Sequence, residues 1–120
     1  MIIGEEKLKS CDNKVKLLVT FLESLYSVVT VTSGYRTEDE NKKVGGSTTS
    51  AHVLGLGVDI VIENVSPIKV IAKVLDNLSK VPGIKGIGID VFRNMAHFDF
   101  KDRGKKFITY WPYDRNGRYV

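Results

Sequence analysis

A chain of 120 residues, 42% hydrophobic and 27% charged, has the size and balance of one globular domain, and residues 1–120 are taken as a single unit. No stretch approaches the roughly 20 consecutive apolar residues that cross a bilayer, and the lone cysteine, Cys11, excludes an intrachain disulfide and a multi-cysteine metal site. The formal charge of +4 coincides with the last twenty residues, where Lys101, Arg103, Lys105, Lys106, Arg115 and Arg118 face only Asp102 and Asp114; such a patch either attracts an anionic surface or stands as a solvated edge.

In chain order, the N-terminus carries Glu5 and Glu6 where a secretory signal has a basic stretch and an apolar run, so the expectation is a chain without a signal peptide, made in the cytoplasm. Asp12 or Asn13 can cap a helix over 13–27, whose apolar positions Val15, Leu18, Phe21, Leu22 and Leu25 recur every three or four residues. A β-branched run from Val28 to Ser33 predicts a strand that ends at Gly34. Residues 37–51 are polar, contain Gly45 and Gly46 and show no apolar period, which predicts a long loop of functional use. The GVDIVI run, 57–62, predicts a second strand. Ser66 and Pro67 then open a helix over 67–80, with a core face of Ile68, Ile71, Val74, Leu75 and Leu78 and a stop at Pro82-Gly83. IKGIGIDV and MAHFDF alternate and flank Arg93-Asn94, predicting an antiparallel pair, and a last strand is expected to include KFITYW. The fold class is α+β: a small antiparallel sheet with two helices packed on one side.

The chemistry concentrates around the only two histidines, His52 and His97. Zinc takes imidazole nitrogen and carboxylate oxygen, and a catalytic site leaves its fourth position to water, so two histidines and one aspartate suffice. Asp59 follows His52 by seven residues, roughly 23 Å if the strand were straight, so the chain must fold back, and Gly55 and Gly57 supply the freedom. His97 and Asp99 share one face of their strand. A lone histidine is more often structural, and spacing alone does not raise the metal site above that reading.

The surrounding residues add a pattern. SGYRT at 33–37, Asn41, VGGS at 44–47, SAHVLGLGVDI at 50–60 and AHFDF at 96–100 together resemble the zinc D-alanyl-D-alanine carboxypeptidase family of peptidoglycan peptidases, over about residues 13 to 111. The likeness is to the compact single-domain branch of bacteriophage lysis and tail proteins, which carries His-x-Asp in its last motif. It implies the fold shared with the hedgehog signalling domain, Zn2+ as cofactor, and His52, Asp59 and His97 as ligands. It implies that Arg36 positions the substrate carbonyl and stabilises the oxyanion, and that Ser50 orients His52 or meets a substrate carboxylate; an ion pair for Arg36 and a loop cap for Ser50 are the structural alternatives.

The expected activity is hydrolysis of peptide bonds in peptidoglycan stem peptides, by carboxypeptidase or L-alanyl-D-glutamate endopeptidase cleavage. The expected setting is the cell wall, reached after lysis or by particle delivery, with a phage or prophage endolysin as the origin. The chain is expected to act as a monomer, without nucleic acid and without a membrane span. Many family members place a glutamate base three residues before the last histidine ligand, where this chain has Asn94. Asp99 is the first substitute as base, with orientation of a ligand as its other reading, and Asp90 is the second. Two rivals stand beside the peptidase: a non-catalytic zinc-containing domain that binds a wall peptide or a protein, and a nucleic-acid binder using the basic tail with Tyr110, Trp111, Tyr113 and Tyr119.

Overall fold

A computed structural model describes residues 1–46 and 50–118. Ser47 of the VGGS motif and Tyr119 of the aromatic tail fall outside the described residues. The elements are β1 (Ile2–Ile3), a 3-10 turn (Glu5–Leu8), α1 (Asn13–Leu25), β2 (Val29–Ser33), α2 (Glu38–Lys43), β3 (Gly57–Val61), α3 (Pro67–Leu75), β4 (Gly86–Asp90), β5 (Met95–Asp99) and β6 (Thr109–Pro112). No helix among the described residues is long and apolar enough to cross a membrane.

The α+β class holds, but the sheet is mixed rather than antiparallel. Its order is β1-β2-β3-β5-β4-β6. The four central strands pair antiparallel, and both margins are parallel: β1 to β2 and β4 to β6. The connections explain the margins. From β1 the chain returns through α1 before β2, a crossover of the length that parallel pairing requires. After β5, residues 100–108 lead back to the end at which β4 starts, so β6 runs alongside β4 in the same direction, joined to it by Thr109 N–H to Lys85 O and Tyr113 N–H to Ile89 O, both 2.9 Å.

Capping chemistry sets the helix starts. The Asp12 carboxylate accepts Lys14 N–H at 2.9 Å, and the Ser66 hydroxyl accepts Lys69 N–H at 3.2 Å ahead of Pro67. The expected loop over 37–51 contains α2, whose start is a reciprocal pair: Thr37 Oγ1 accepts Glu40 N–H, and Glu40 Oε1 accepts Thr37 N–H. Its lack of apolar period reflects exposure, since only Asn41 is buried. In α3 the core face is Pro67, Val70, Ile71 and Val74. Ile68 is 60% exposed, and the helix ends at Leu75, which leaves Leu78 beyond it. The phase was misplaced by one position because Ile68 and Val70 are equally apolar.

One core joins α1 and α3 to a single face of the sheet. Val15, Leu18, Val19 and Leu22 from α1 and Val70, Ile71 and Val74 from α3 pack with Val29, Val31, Val58, Ile60, Ile87, Ala96 and Phe98. Register makes this face continuous, with Ile60 opposite Ala96, and Phe98 opposite both Val58 and Ile87. Alternation then sends Asp59, His97 and Asp99 to the other face, which the helices leave open.

Phe98 has no exposed surface, whereas Phe107 is 67% exposed. Phe98→Ala is therefore expected to cost about 3–5 kcal/mol, and Phe107→Ala under about 0.5 kcal/mol. Denaturant unfolding of the two variants checks this contrast.

Candidate metal centre

Asp59 and His97 lie directly opposite each other on β3 and β5. Asp59 Oδ1 stands 2.8 Å from His97 Nδ1 and 3.3 Å from His52 Nε2. His52 arrives from the turn between α2 and β3. There Gly55, at φ 71, reverses the chain, and a Cβ at that position would lie 2.8 Å from Ser10 O. Gly57 opens β3, where a Cβ would press on that of Ala51 at 3.0 Å. The fold-back expected of the two glycines is thus divided: Gly55 makes the turn and Gly57 lets it lie close against the strand.

Each imidazole has its second nitrogen engaged. His52 Nδ1 lies 2.8 Å from the Gly34 carbonyl, which can only accept, so this nitrogen carries the proton and Nε2 turns toward Asp59. His97 Nε2 lies 2.7 Å from Asp99 Oδ2, which leaves Nδ1 toward Asp59. Ser50 Oγ accepts His52 N–H at 3.2 Å, and His52 O accepts Arg36 N–H at 3.1 Å, so the turn is tied at both sides of the ring. The loop-capping alternative for Ser50 is the contact seen.

These residues floor a cleft of about 880 Å³ whose walls include Arg36, Lys101, Trp111, Tyr113 and Arg118. Arg36 Nη1 donates to Asn41 Oδ1 at 3.4 Å, while its buried Nε has no hydrogen bond among the described residues. The carboxylates of the cleft, among the described residues, are Asp59, Asp90 and Asp99. Asp90 is 1% exposed; it accepts Phe92 N–H and Arg93 N–H, both at 3.1 Å, and pairs with Arg93 Nη1 at 3.0 Å, which closes the β4–β5 hairpin. Asn94, at φ 54, belongs to the same hairpin and donates Nδ2–H to Ile62 O. Asp99 is fully buried, with both oxygens gripped by Arg103.

Charge in this buried group is settled by pairing. Burial opposes ionisation of Asp59, but the two histidines outweigh it and hold its carboxyl well below the usual range. Asp99 is likewise lowered against its burial, by Arg103 and His97. For His97 burial disfavours the cation, yet Asp59 and Asp99 on either side push its pKa up to about 9. His52, Asp59 and His97 offer ligand atoms that all lie within 4.8 Å of one another. The fit to a cation such as zinc is good on chemical grounds: two imidazoles each held by an acceptor behind the ring, one carboxylate, and an open cleft beside them.

Sequence reasoning missed Arg103 and Trp111 as parts of this site. Arg103 was one charge of a basic tail, and Trp111 an aromatic of an edge strand or of a nucleic-acid surface. In the structure Trp111 lies 5.3 Å from the His97 ring, and Arg103 lies 5.3 Å over Trp111. No period or local motif links either residue to His97, because β6 reaches β4 only through the parallel margin.

A family model described as Peptidase M15 matches residues 5–99. No curated protein and no solved structure matches the chain.

The shifted groups predict how the metal-free protein responds to pH. His97 is raised above its ordinary value of 6.5, so its pairing contributes fully below about pH 6.5 and is lost as pH climbs through about 9. Asp59 and Asp99 are lowered, so their contribution is present above about pH 4 and is lost as pH falls. Unfolding with chelator present should therefore show stability falling by about 1–3 kcal/mol between pH 6.5 and 9; His97→Gln should flatten that slope.

Proposed function

The chain belongs to the Peptidase M15 family, and from that premise we propose that it is a zinc-dependent peptidase that hydrolyses peptide bonds in peptidoglycan stem peptides. The observation that carries this reading is the convergence of His52, Asp59 and His97 at the floor of an open cleft, with each imidazole oriented from behind. A zinc ion held there supplies Lewis-acid polarisation of the scissile carbonyl and acidifies water to a pKa of about 7.

The chain's own residues do the rest. Arg36 stands in the cleft wall, its buried Nε without a hydrogen bond among the described residues, and its guanidinium is the positive group placed to meet negative charge developing on the carbonyl oxygen. Asn41 holds the far end of the same guanidinium, which fixes its direction. Ser50 acts on His52 through the backbone and keeps the turn in place. Asp99 had two readings, base or orienter of a ligand. Its burial and its engagement by His97 and Arg103 favour orientation, because a base must exchange its proton with water or substrate. Arg36, Lys101 and Arg118 give the cleft a cationic wall, in keeping with stem peptides that carry free carboxylates.

A second reading is favoured by one observation. Asp90 and Asp99, the cleft carboxylates outside the ligand set, are both committed to arginines. A domain that binds zinc and a wall peptide without cleaving it would have the same walls and ligands.

Turnover separates the two. For the peptidase, defined stem peptides are cut, chelator abolishes cleavage, added zinc restores it, and His52→Ala removes both zinc and activity; mass spectrometry of the products names the bond. Arg36→Met should lower kcat by about 100- to 1,000-fold while leaving zinc affinity within twofold. Stoichiometric zinc binding with no cleavage of any stem peptide would leave the binding domain as the surviving interpretation.

A further inference from the structure

Arg103 lies outside the family-matched residues and outside the ligand set, yet it closes a line of contacts that ends on a ligand. Its Nη1 donates to Asp99 Oδ1 at 2.7 Å and its Nη2 to Asp99 Oδ2 at 2.8 Å. Asp99 Oδ2 in turn meets His97 Nε2 at 2.7 Å, and His97 Nδ1 faces Asp59. The guanidinium is itself held: Nη1 also donates to Lys101 O at 3.1 Å, and the group lies over the Trp111 ring. Lys101 N–H donates to Asp99 Oδ1 at 3.2 Å.

The sheet makes room for this pair. Gly86 stands opposite Asp99 in the β4–β5 register, and a Cβ there would fall 2.6 Å from Asp99 Oδ2 and 2.8 Å from Arg103 Nη1. A side chain at residue 86 and the Asp99–Arg103 pair exclude each other.

We propose that Arg103 is a positioning residue that acts through Asp99 on His97, fixing the imidazole so that Nδ1 is presented to the metal. The inference rests on reading His52, Asp59 and His97 as a metal site. A carboxylate held at one point can rotate about its last bond, and the imidazole it supports rotates with it. A planar two-pronged grip removes that freedom, and only arginine offers one. The molecule contains its own comparison. Arg93 grips a carboxylate that is just as buried, Asp90, but its other bonds run to Asp114 O and Arg115 O in the turn after β6, and among the described residues nothing in that line leads to His52, Asp59 or His97.

The test uses the full chain and its Arg103→Met, Arg103→Lys, Arg103→Gln and Arg93→Met variants, with zinc affinity measured by competition with a chromophoric chelator. The expected result is about tenfold or more weaker zinc binding in Arg103→Met, the loss usual when the partner behind a ligand is removed, with part recovered in Arg103→Lys. Arg93→Met should lose thermal stability and keep its zinc affinity within twofold. In the zinc-loaded protein, NMR should show the His97 Nε2–H exchanging faster with water in Arg103→Met than in wild type or Arg93→Met. Should Arg103→Met not fold, Arg103→Gln and Arg103→Lys carry the comparison. Zinc affinity within twofold of wild type in the folded Arg103 variants, or an equal loss in Arg93→Met, overturns the proposal alone; a wild-type chain that binds no zinc overturns the metal site with it.

Discussion

The contact on which this molecule turns is the carboxylate of Asp59 set between two imidazoles, one across the sheet on β5 and one on the turn that precedes its own strand. Buried charge is expensive unless it is paired and hydrogen-bonded. Here the pairing forms an unbroken line, Asp59 to His97 to Asp99 to Arg103, in which each contact favours the charged form of its partners. His97 Nδ1, Asp59 Oδ1 and His52 Nε2 are thereby held close together at the floor of the cleft, where the three residues could hold a cation. This arrangement demands that β3 and β5 pair in one register and that the turn carrying His52 closes tightly, and the rest of the fold meets those two demands.

Strand alternation meets the first. The same β3–β5 pair sends Val58, Ile60, Ala96 and Phe98 into the helices and Asp59, His97 and Asp99 into the cleft. A one-residue slip of β3 would turn Asp59 into the apolar layer, and one of β5 would turn in His97 and Asp99, so the hydrophobic core enforces the geometry of the polar site. The second demand is met by local bonds: Gly55 in the left-handed region, Ser50 on the His52 backbone, and Gly34 behind the ring. The segment after β5 then adds a wall, with Trp111 and Arg103 reaching back over β4.

Much of this could be read from the residues. Helix starts at Asp12 and Ser66 followed from capping chemistry, and the four central strands from β-branched or alternating runs, because those signals are local. The phase of α3 did not, since Ile68 and Val70 differ only in which of them meets the sheet. Nor did α2, because its capping box at Thr37 and Glu40 opens a helix with no apolar face, and the segment reads as a loop without that face. The parallel margins escaped because Ile2–Ile3 is too short to announce a strand and β6 owes its partner to the path of residues 100–108. The grouping of His52, Asp59 and His97 was legible as a pattern of residue types. The hold of Arg103 on Asp99 was not, because it depends on a loop folding over Gly86, and no spacing encodes that.

The two parallel margins have a consequence of a different kind. A sheet ends in unpaired backbone, and a long flat margin invites another chain to add itself. This sheet closes on one side with two residues, Ile2 and Ile3, and on the other with four, ending at Pro112, which has no N–H to offer. Beyond Pro112 the chain leaves the line of β6, and Arg93 donates to the carbonyls of Asp114 and Arg115. The layer that holds His52, Asp59 and His97 against its centre thus presents, among the described residues, only short strands at its rims on which a fibril could grow.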